Sequence, residues 1–282
     1  MIPSADQEMH ELYLRDDLAR AWDGREPFAL TAALEGDVHR AVANRRTLRI
    51  VIDGKPYFLK VHDGVGVLEI LKNLVVGKRP IVDAANEFRA CRHLAARSIA
   101  APIVAGFGRR GANPAARESF LVTDALLDRE SLEQIADRWI AEPPPPALKR
   151  RMIAAVGDLA RRMHESGVNH RDFYLCHLLA DGRALADGRI DLAVIDLHRA
   201  QIRAQTPQRW RVRDLAALAF SSLDLKLTER DRLRFIASYT GRPIREALQD
   251  ETILWTRVWH RAERLYKKGL RRGVVKGLHR HR

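Results

Sequence analysis

Cysteine is scarce and long apolar runs are missing. Only Cys91 and Cys176 occur among 282 residues, far apart in sequence. They supply no disulfide framework, and a reducing compartment is expected. No stretch approaches the ~18 consecutive apolar residues of a membrane-spanning helix. The first twenty residues mix acids with apolar side chains and hold no apolar core, so no secretory signal is expected. A soluble or peripheral protein on the cytoplasmic side is expected. Internal repeats are absent, as is any recognised nucleic-acid-binding motif, so no nucleic-acid partner is expected. With 46% hydrophobic and 30% charged residues the composition is globular. A chain of this length buries roughly 75% of its unfolded surface and needs no covalent staple.

The positive charge is concentrated at one end. The formal net charge is +13, and residues 255–282 hold ten Lys and Arg against one acid, Glu263. A basic segment carrying Trp255, Trp259, Leu265 and Tyr266 suggests an aromatic and basic face for an anionic membrane.

Hydrophobic patterning gives an α+β reading. Residues 11–22 and 26–35 suggest short helices, and strands are expected at 37–43, 47–52 and 56–61. Leu48, Ile50 and Ile52 alternate with Thr47, Arg49 and Val51. Asp53-Gly54 marks a hairpin between the last two. Helices at 68–76 and 84–98 and strands at 104–107 and 119–123 complete a mostly antiparallel first half. After Thr123 the pattern turns helical: 131–139, 147–166, 214–222, 229–239 and 252–270, with short strands at 178–179 and 192–195. Pro143–Pro146 form an extended break. The expected organisation is a helical extension over 1–35, a sheet lobe over 36–126, a helical lobe over 127–254, and a basic helix and tail over 255–282.

Four features in this order point to phosphoryl transfer. Lys60 ends the third strand, Glu87 lies on a following helix, His170-Arg171-Asp172 follows the long helix, and Val194-Ile195-Asp196 is an apolar strand ending in a carboxylate. Nucleotide-dependent kinases need a lysine on the α/β-phosphates held by a glutamate. They also need a carboxylate to take the acceptor proton and another to bind Mg²⁺. Each piece alone occurs by chance; their order and elements together indicate a protein-kinase-like two-lobe fold.

Two departures stand out. His177 occupies the place where protein kinases put an asparagine on a second Mg²⁺. Three roles stand open for it: metal ligand, phosphate donor, or loop packing. No glycine-rich turn joins the first two strands; Asn44-Arg45-Arg46 lies there instead. The guanidinium of Arg45 or Arg46 is the expected substitute for the backbone cradle. Asp214 is expected to hold the backbone amides of His170 and Arg171.

Several long blocks resemble one family. They are Tyr57-Phe58-Leu59-Lys60-Val61-His62, Asn169-His170-Arg171-Asp172-Phe173-Tyr174-Leu175-Cys176-His177 and Val194-Ile195-Asp196-Leu197-His198-Arg199-Ala200-Gln201. Arg45-Arg46-Thr47-Leu48-Arg49, Glu69-Ile70-Leu71-Lys72-Asn73-Leu74 and Arg209-Trp210-Arg211-Val212-Arg213-Asp214-Leu215 join them. They are similar to the lipopolysaccharide core heptose(I) kinases, over roughly residues 22–266. That resemblance implies ATP and Mg²⁺ as cofactors and transfer to the 4-hydroxyl of the first inner-core heptose. It also implies work at the cytoplasmic face of the inner membrane and association with acyl carrier protein. The family carries histidine at the position of His177. Within this frame Asp172 is the base and Lys60 with Glu87 the nucleotide contact. Asp196 is the metal ligand, with His177 a second candidate. Arg199, Arg203, Arg209 and Arg211 are candidates for the anionic inner-core acceptor. The alternatives are another sugar or small-molecule kinase of this fold, such as a Kdo kinase, and a nucleotide-binding pseudokinase scaffold.

Overall fold

The computed structural model describes residues 10–42, 44–66, 82–225, 227–273 and 275. The helix expected at 68–76, with the block Glu69–Leu74, lies outside them, as do residues 1–9 and nearly all of the tail beyond Gly273. The chain forms two units, Met1–His93 with Pro102–Leu126, and Leu94–Ala101 with Leu127–Arg282.

The first unit is a six-stranded antiparallel sheet. Its strands are β1 (Glu11–Leu14), β2 (Asp37–Val42), β3 (Arg45–Ile52), β4 (Lys55–Asp63), β5 (Val104–Arg110) and β6 (Glu118–Asp124), in the order β1-β5-β6-β4-β3-β2. The expected helix over 11–22 is therefore corrected in part. Glu11–Leu14 pairs with β5 at the sheet edge, and only Asp16–Ala21 (α1) is helical. Pro27–Ala33 forms α2. The β3–β4 hairpin turns at Asp53-Gly54, both residues at positive φ (48° and 75°), as a tight primed turn requires.

Alternation along β4 decides where Lys60 points. Tyr57, Leu59 and Val61 are buried with Trp22, Phe28 and Phe120 in the core under α1 and α2. Lys60 therefore leaves from the opposite face. On the helix α3 (Ala85–Ala95), Phe88 stacks on Phe107 of β5 at 4.2 Å. The start of α3 is anchored by two side chains: the amide of Ala84 donates to Ser119 Oγ at 2.9 Å and that of Ala85 to Asp83 Oδ1 at 3.0 Å.

The second unit is mainly helical. Helix α4 (Leu132–Ala141) opens with a Ser131–Gln134 capping box. Helix α5 (Pro146–Glu165) takes the last of the four prolines as its first residue, where a missing N–H costs nothing. Its buried stripe is Met152, Val156, Leu159 and Met163. Helices α7 (Gln208–Ser222), α8 (Glu229–Thr240) and α9 (Ile244–Arg271) follow, α9 being broken at Glu251. Short strands β7 (Arg129–Ser131), β9 (Leu178–Asp181) and β10 (Leu192–Val194) make a small sheet, with the short helix α6 (Gly182–Ala186) after β9. Strands β8 (Val168–Asn169) and β11 (Gln201–Ile202) pair separately.

Of the face expected on the C-terminal helix, Trp255 and Tyr266 are turned inward, while Trp259 and Leu265 are half-buried. Trp255 is buried against Phe235 and Tyr239, and Tyr266 is buried beside Phe220. A helix that packs on α7 and α8 must turn its apolar stripe inward, and Trp255 and Tyr266 lie on that stripe. Charge is what the outer face presents, through Arg257, Lys267, Lys268 and Arg271. The same unit contains an apolar cavity of about 620 Å³, lined by Ile135, Trp139, Met152, Val156, Leu218 and Trp259 among others.

Candidate active site

The reactive loop of the second unit starts where α5 stops. Gly167 ends the helix at φ +84°, with the carbonyl of Arg203 so close that a Cβ would strike it. The chain then runs through β8 into His170-Arg171-Asp172, with Arg171 also at positive φ (75°). That conformation is held by Asp214, which is fully buried on α7. Its Oδ2 accepts from the amide of His170 at 2.7 Å and its Oδ1 from that of Arg171 at 2.9 Å. The expected bonds are thus present, and two charge-assisted hydrogen bonds offset much of the cost of burying a carboxylate.

Behind Asp214 lies a network the sequence did not reveal. His164 sits 3.3 Å from Asp214 Oδ2 and 2.9 Å from the Tyr239 hydroxyl. Arg211 donates to that hydroxyl at 2.7 Å and to Glu251 at 2.8 Å. Arg211 therefore belongs to the internal scaffold of α7, α8 and α9, which removes it from the acceptor contacts expected above. Its partners come from two other helices, 28 and 40 residues away, so no local pattern marks it.

His170 joins the loop to the strand that carries Asp196. Its ring Nε2 donates to the carbonyl of Ile195 at 2.8 Å, and Nδ1 accepts from the amide of Asp172 at 3.3 Å. Burial lowers the pKa of His170, against the pull of Asp214, so the ring is neutral and suits this donor–acceptor pattern.

Asp196 is in the left-handed region (φ 60°, ψ 51°), a strained place for a residue other than glycine. Its two oxygens are engaged from both sides: His198 Nδ1 donates to Oδ1, and His177 Nε2 lies 3.3 Å from Oδ2. The other ring nitrogen of His177 donates to the carbonyl of Asp172 at 2.6 Å. Burial works against a charge on His177. Hydrogen bonds with Cys176 and the Asp172 carbonyl, with the charges of Cys176 and Asp196, outweigh it and raise the pKa to about 9. The ring bridges the two carboxylate-bearing segments, one nitrogen on each, a geometry that supports packing of the loop and leaves the metal and phosphate roles open. Cys176 is half-buried beside it. Asp172 has both oxygens 2.9 Å from Arg199 Nη1. Arg199 therefore meets the candidate base itself.

The other arginines named from sequence divide. Arg203 donates to Asn169 and to Gln201 across the β8–β11 pair. Arg209 is exposed and lies 5.9 Å from the Trp210 ring centre.

In the first unit, Lys60 Nζ donates to both oxygens of Glu87, at 2.6 and 2.9 Å. Glu87 is buried and Lys60 is half-buried. Arg46 is not placed as a phosphate cradle. Its guanidinium donates to the carbonyls of Thr31 (2.9 Å) and Ala32 at the end of α2, where unsatisfied carbonyls favour a cation. Arg45 opens β3 opposite His62 and is the remaining candidate for that task.

Comparison with known proteins resolves which kinases these parts belong to. The model of the lipopolysaccharide kinase (Kdo/WaaP) family matches residues 30–239. The chain belongs to that family. The lipopolysaccharide core heptose(I) kinase WaaP of Pseudomonas aeruginosa is 46% identical over 263 residues, covering 93% of this chain and 98% of that protein. WaaP of Escherichia coli K12 is 41% identical over 265 residues, 93% and 99% of the two chains. A solved structure of WaaP in complex with acyl carrier protein aligns with a TM-score of 0.78 at 43% identity, covering 91% of this chain and 99% of that one. This lipopolysaccharide kinase is therefore a phosphotransferase with an α+β, protein-kinase-like fold.

The family implies a nucleotide and a divalent metal, and the donor chemistry fits both. Among the described residues no group of three His, Cys, Asp or Glu side chains could form a metal cage. Mg²⁺ does not need one, since it binds through one or two carboxylates together with phosphate oxygens and water. Asp196 is a hard oxygen donor on a turn held by its neighbours. Lys60, oriented by Glu87, is a point charge suited to phosphate oxygens.

Proposed function

We propose that this lipopolysaccharide kinase transfers the γ-phosphoryl group of ATP to the 4-hydroxyl of heptose I in the lipopolysaccharide inner core, using Mg²⁺. The observation that carries the reading is the linked pair of carboxylates: Asp172 and Asp196 joined through His177, with the loop pinned by Asp214. The identity to heptose(I) kinases supports the choice of sugar.

Asp172 orients the attacking hydroxyl and accepts its proton at a carboxylate oxygen. Arg199 keeps that carboxylate in place. Lys60, held by Glu87, binds phosphate oxygens of the nucleotide, with Arg45 assisting. Asp196 would hold Mg²⁺, which when bound neutralises charge on the β- and γ-phosphates. His177 and His198 fix the Asp196 turn.

Acyl carrier protein is a proposed partner, supported by the complex of the related WaaP. A peripheral position at the cytoplasmic face of the inner membrane is also proposed. It is supported by the basic outer face of α9, an electrostatic attraction to anionic lipid. No described helix is long and apolar enough to cross a membrane.

The test is mass spectrometry of lipopolysaccharide from cells with and without the gene. Loss of the gene is expected to remove one phosphate from the first heptose. An unchanged core would sink the heptose reading, and a phosphate lost from a Kdo residue would make this the Kdo member of the family. In vitro, transfer to isolated acceptor is expected to stop on chelation with EDTA and to resume with added Mg²⁺.

A further inference from the structure

Basic residues crowd one side of the reactive loop. The ring of Trp210, at the start of α7, is approached by the guanidinium carbons of Arg213 at 4.6 Å and Arg171 at 5.4 Å. Arg171 belongs to the loop that ends in Asp172, so the indole joins that loop to α7. One turn along α7 from Arg209, Arg213 faces α9, where Arg261 and Arg264 lie one turn apart. Among the described residues none of Arg213, Arg261 and Arg264 has an acidic partner. Burial, then the like charges of Arg213 and Arg264, hold the Arg261 guanidinium below the usual arginine range, and only Tyr174 opposes them. Two N–H groups of this patch, Arg261 Nε and Trp210 Nε1, are buried without a hydrogen-bond acceptor.

Those two buried N–H groups cost stability unless an acceptor completes them. Its position says what that is. Tyr174 is two residues past Asp172 and half-buried. Its electrostatic neighbours include Asp172, Arg199 and Arg261. The cluster is thus one tyrosine removed from the carboxylate that takes the acceptor's proton.

We propose that Arg213, Arg261 and Arg264, beside Tyr174, form an anion subsite for a carboxylate or phosphate group of the acceptor, adjoining the hydroxyl that Asp172 serves. The proposal rests on the lipopolysaccharide-kinase reading. It replaces the sequence-based choice of Arg203 and Arg211, whose guanidiniums are engaged in the scaffold. Planar guanidiniums on two packed helices suit forked recognition of either oxyanion.

The experiment compares the wild-type chain with Arg213→Gln, Arg264→Gln and the double variant Arg261→Gln/Arg264→Gln. The probe is deacylated inner-core lipopolysaccharide lacking the heptose phosphate, presented with ATP and Mg²⁺. The KM for this acceptor is expected to rise by about tenfold or more in the double variant, with kcat and the KM for ATP within about twofold. Arg264→Lys is expected to recover only part of the loss from Arg264→Gln, since an ammonium keeps the charge without the fork. Two altered acceptors identify the anion. If methyl esterification of the sugar carboxylates brings wild type to the KM of the double variant, the subsite reads a carboxylate. If phosphatase treatment does so, it reads a phosphate.

An unchanged acceptor KM in variants of an active enzyme overturns the subsite and leaves the kinase reading intact. A wild-type chain that phosphorylates no lipopolysaccharide acceptor overturns both. Lost binding to phosphatidylglycerol vesicles, with an unchanged KM for the deacylated acceptor, would make the patch a membrane contact and overturn the proposal. Should the double variant fail to fold, Arg264→Gln alone decides, since Arg264 is exposed.

Discussion

Asp172 and Asp196 look alike in sequence, each a carboxylate at the end of a short run, and their surroundings make them different. Asp172 faces a guanidinium from Arg199, whereas Asp196 faces two imidazoles on a left-handed turn. The first is held in orientation by a fixed cation, and the second can exchange its partners for a metal. Asp172→Ala is expected to lower kcat by about 10²–10⁴-fold with little change in the KM for ATP, read by transfer to purified acceptor. An unaffected kcat would remove Asp172 from the base role. Lys60→Met leaves the Glu87 carboxylate buried without its cation. It is expected to raise the KM for ATP and to cost about 1–3 kcal/mol of stability, seen in denaturant unfolding. The candidate base, metal ligand and nucleotide lysine were all legible in sequence, because each lies in a local pattern of strand, turn and charge. Arg211 and Arg46 were not. A guanidinium reaches far enough to be taken up by groups distant in the chain, and Glu251 or the end of α2 cannot be read from the neighbours of either arginine.

Elements set these side chains by what they pack against. The reactive loop keeps its positive-φ turn because α7 brings Asp214 under two of its amides. Asp214→Asn keeps the shape and loses one of the two acceptor oxygens. A loss of about 1–3 kcal/mol in denaturant unfolding is expected. A fall in kcat with little effect on substrate KM is expected as well, the mark of a positioning residue. Helices α5 and α8 meet closely at Gly157, where a Cβ would lie 2.8 Å from Ser238 Cβ and 3.0 Å from the Phe235 carbonyl. Backbone cannot yield as a flexible side chain does. Gly157→Leu is therefore expected to destabilise by about 1–3 kcal/mol or more despite the better helix propensity of leucine, measured by thermal melting. The strand Glu11–Leu14 escaped sequence reading because four residues running into a helix offer too short a period to separate the two. Pairing with β5 decides it.

Across the molecule, ion pairs tie distant segments together and set a pH limit. In the first unit Arg15 holds both Asp17 and Asp124, with hydrogen bonds of 2.6–2.9 Å, and fixes α1 to the end of β6. Chiefly through Arg15, the Asp17 carboxyl lies well below the usual carboxylate range. A carboxyl whose folded pKa is depressed stabilises fully above its unfolded value, about 3.9, and loses that stabilisation as pH falls through the folded value. Thermal melts from about pH 6 down to pH 3 are expected to show stability falling below about pH 4. Arg15→Gln is expected to lower stability at neutral pH and flatten that fall. An identical acid limb in the variant would exclude this pair as its source. Most of the longer strands and helices, the hairpin at Asp53-Gly54 and the positions of the candidate residues for phosphoryl transfer were determined by the sequence itself, since backbone preference and side-chain period act over a few neighbours. Which cations meet which anions, and that Trp255 and Tyr266 face inward, was decided only by tertiary structure. Burial and charge pairing depend on which surfaces come together in space, and the partners here lie tens of residues apart.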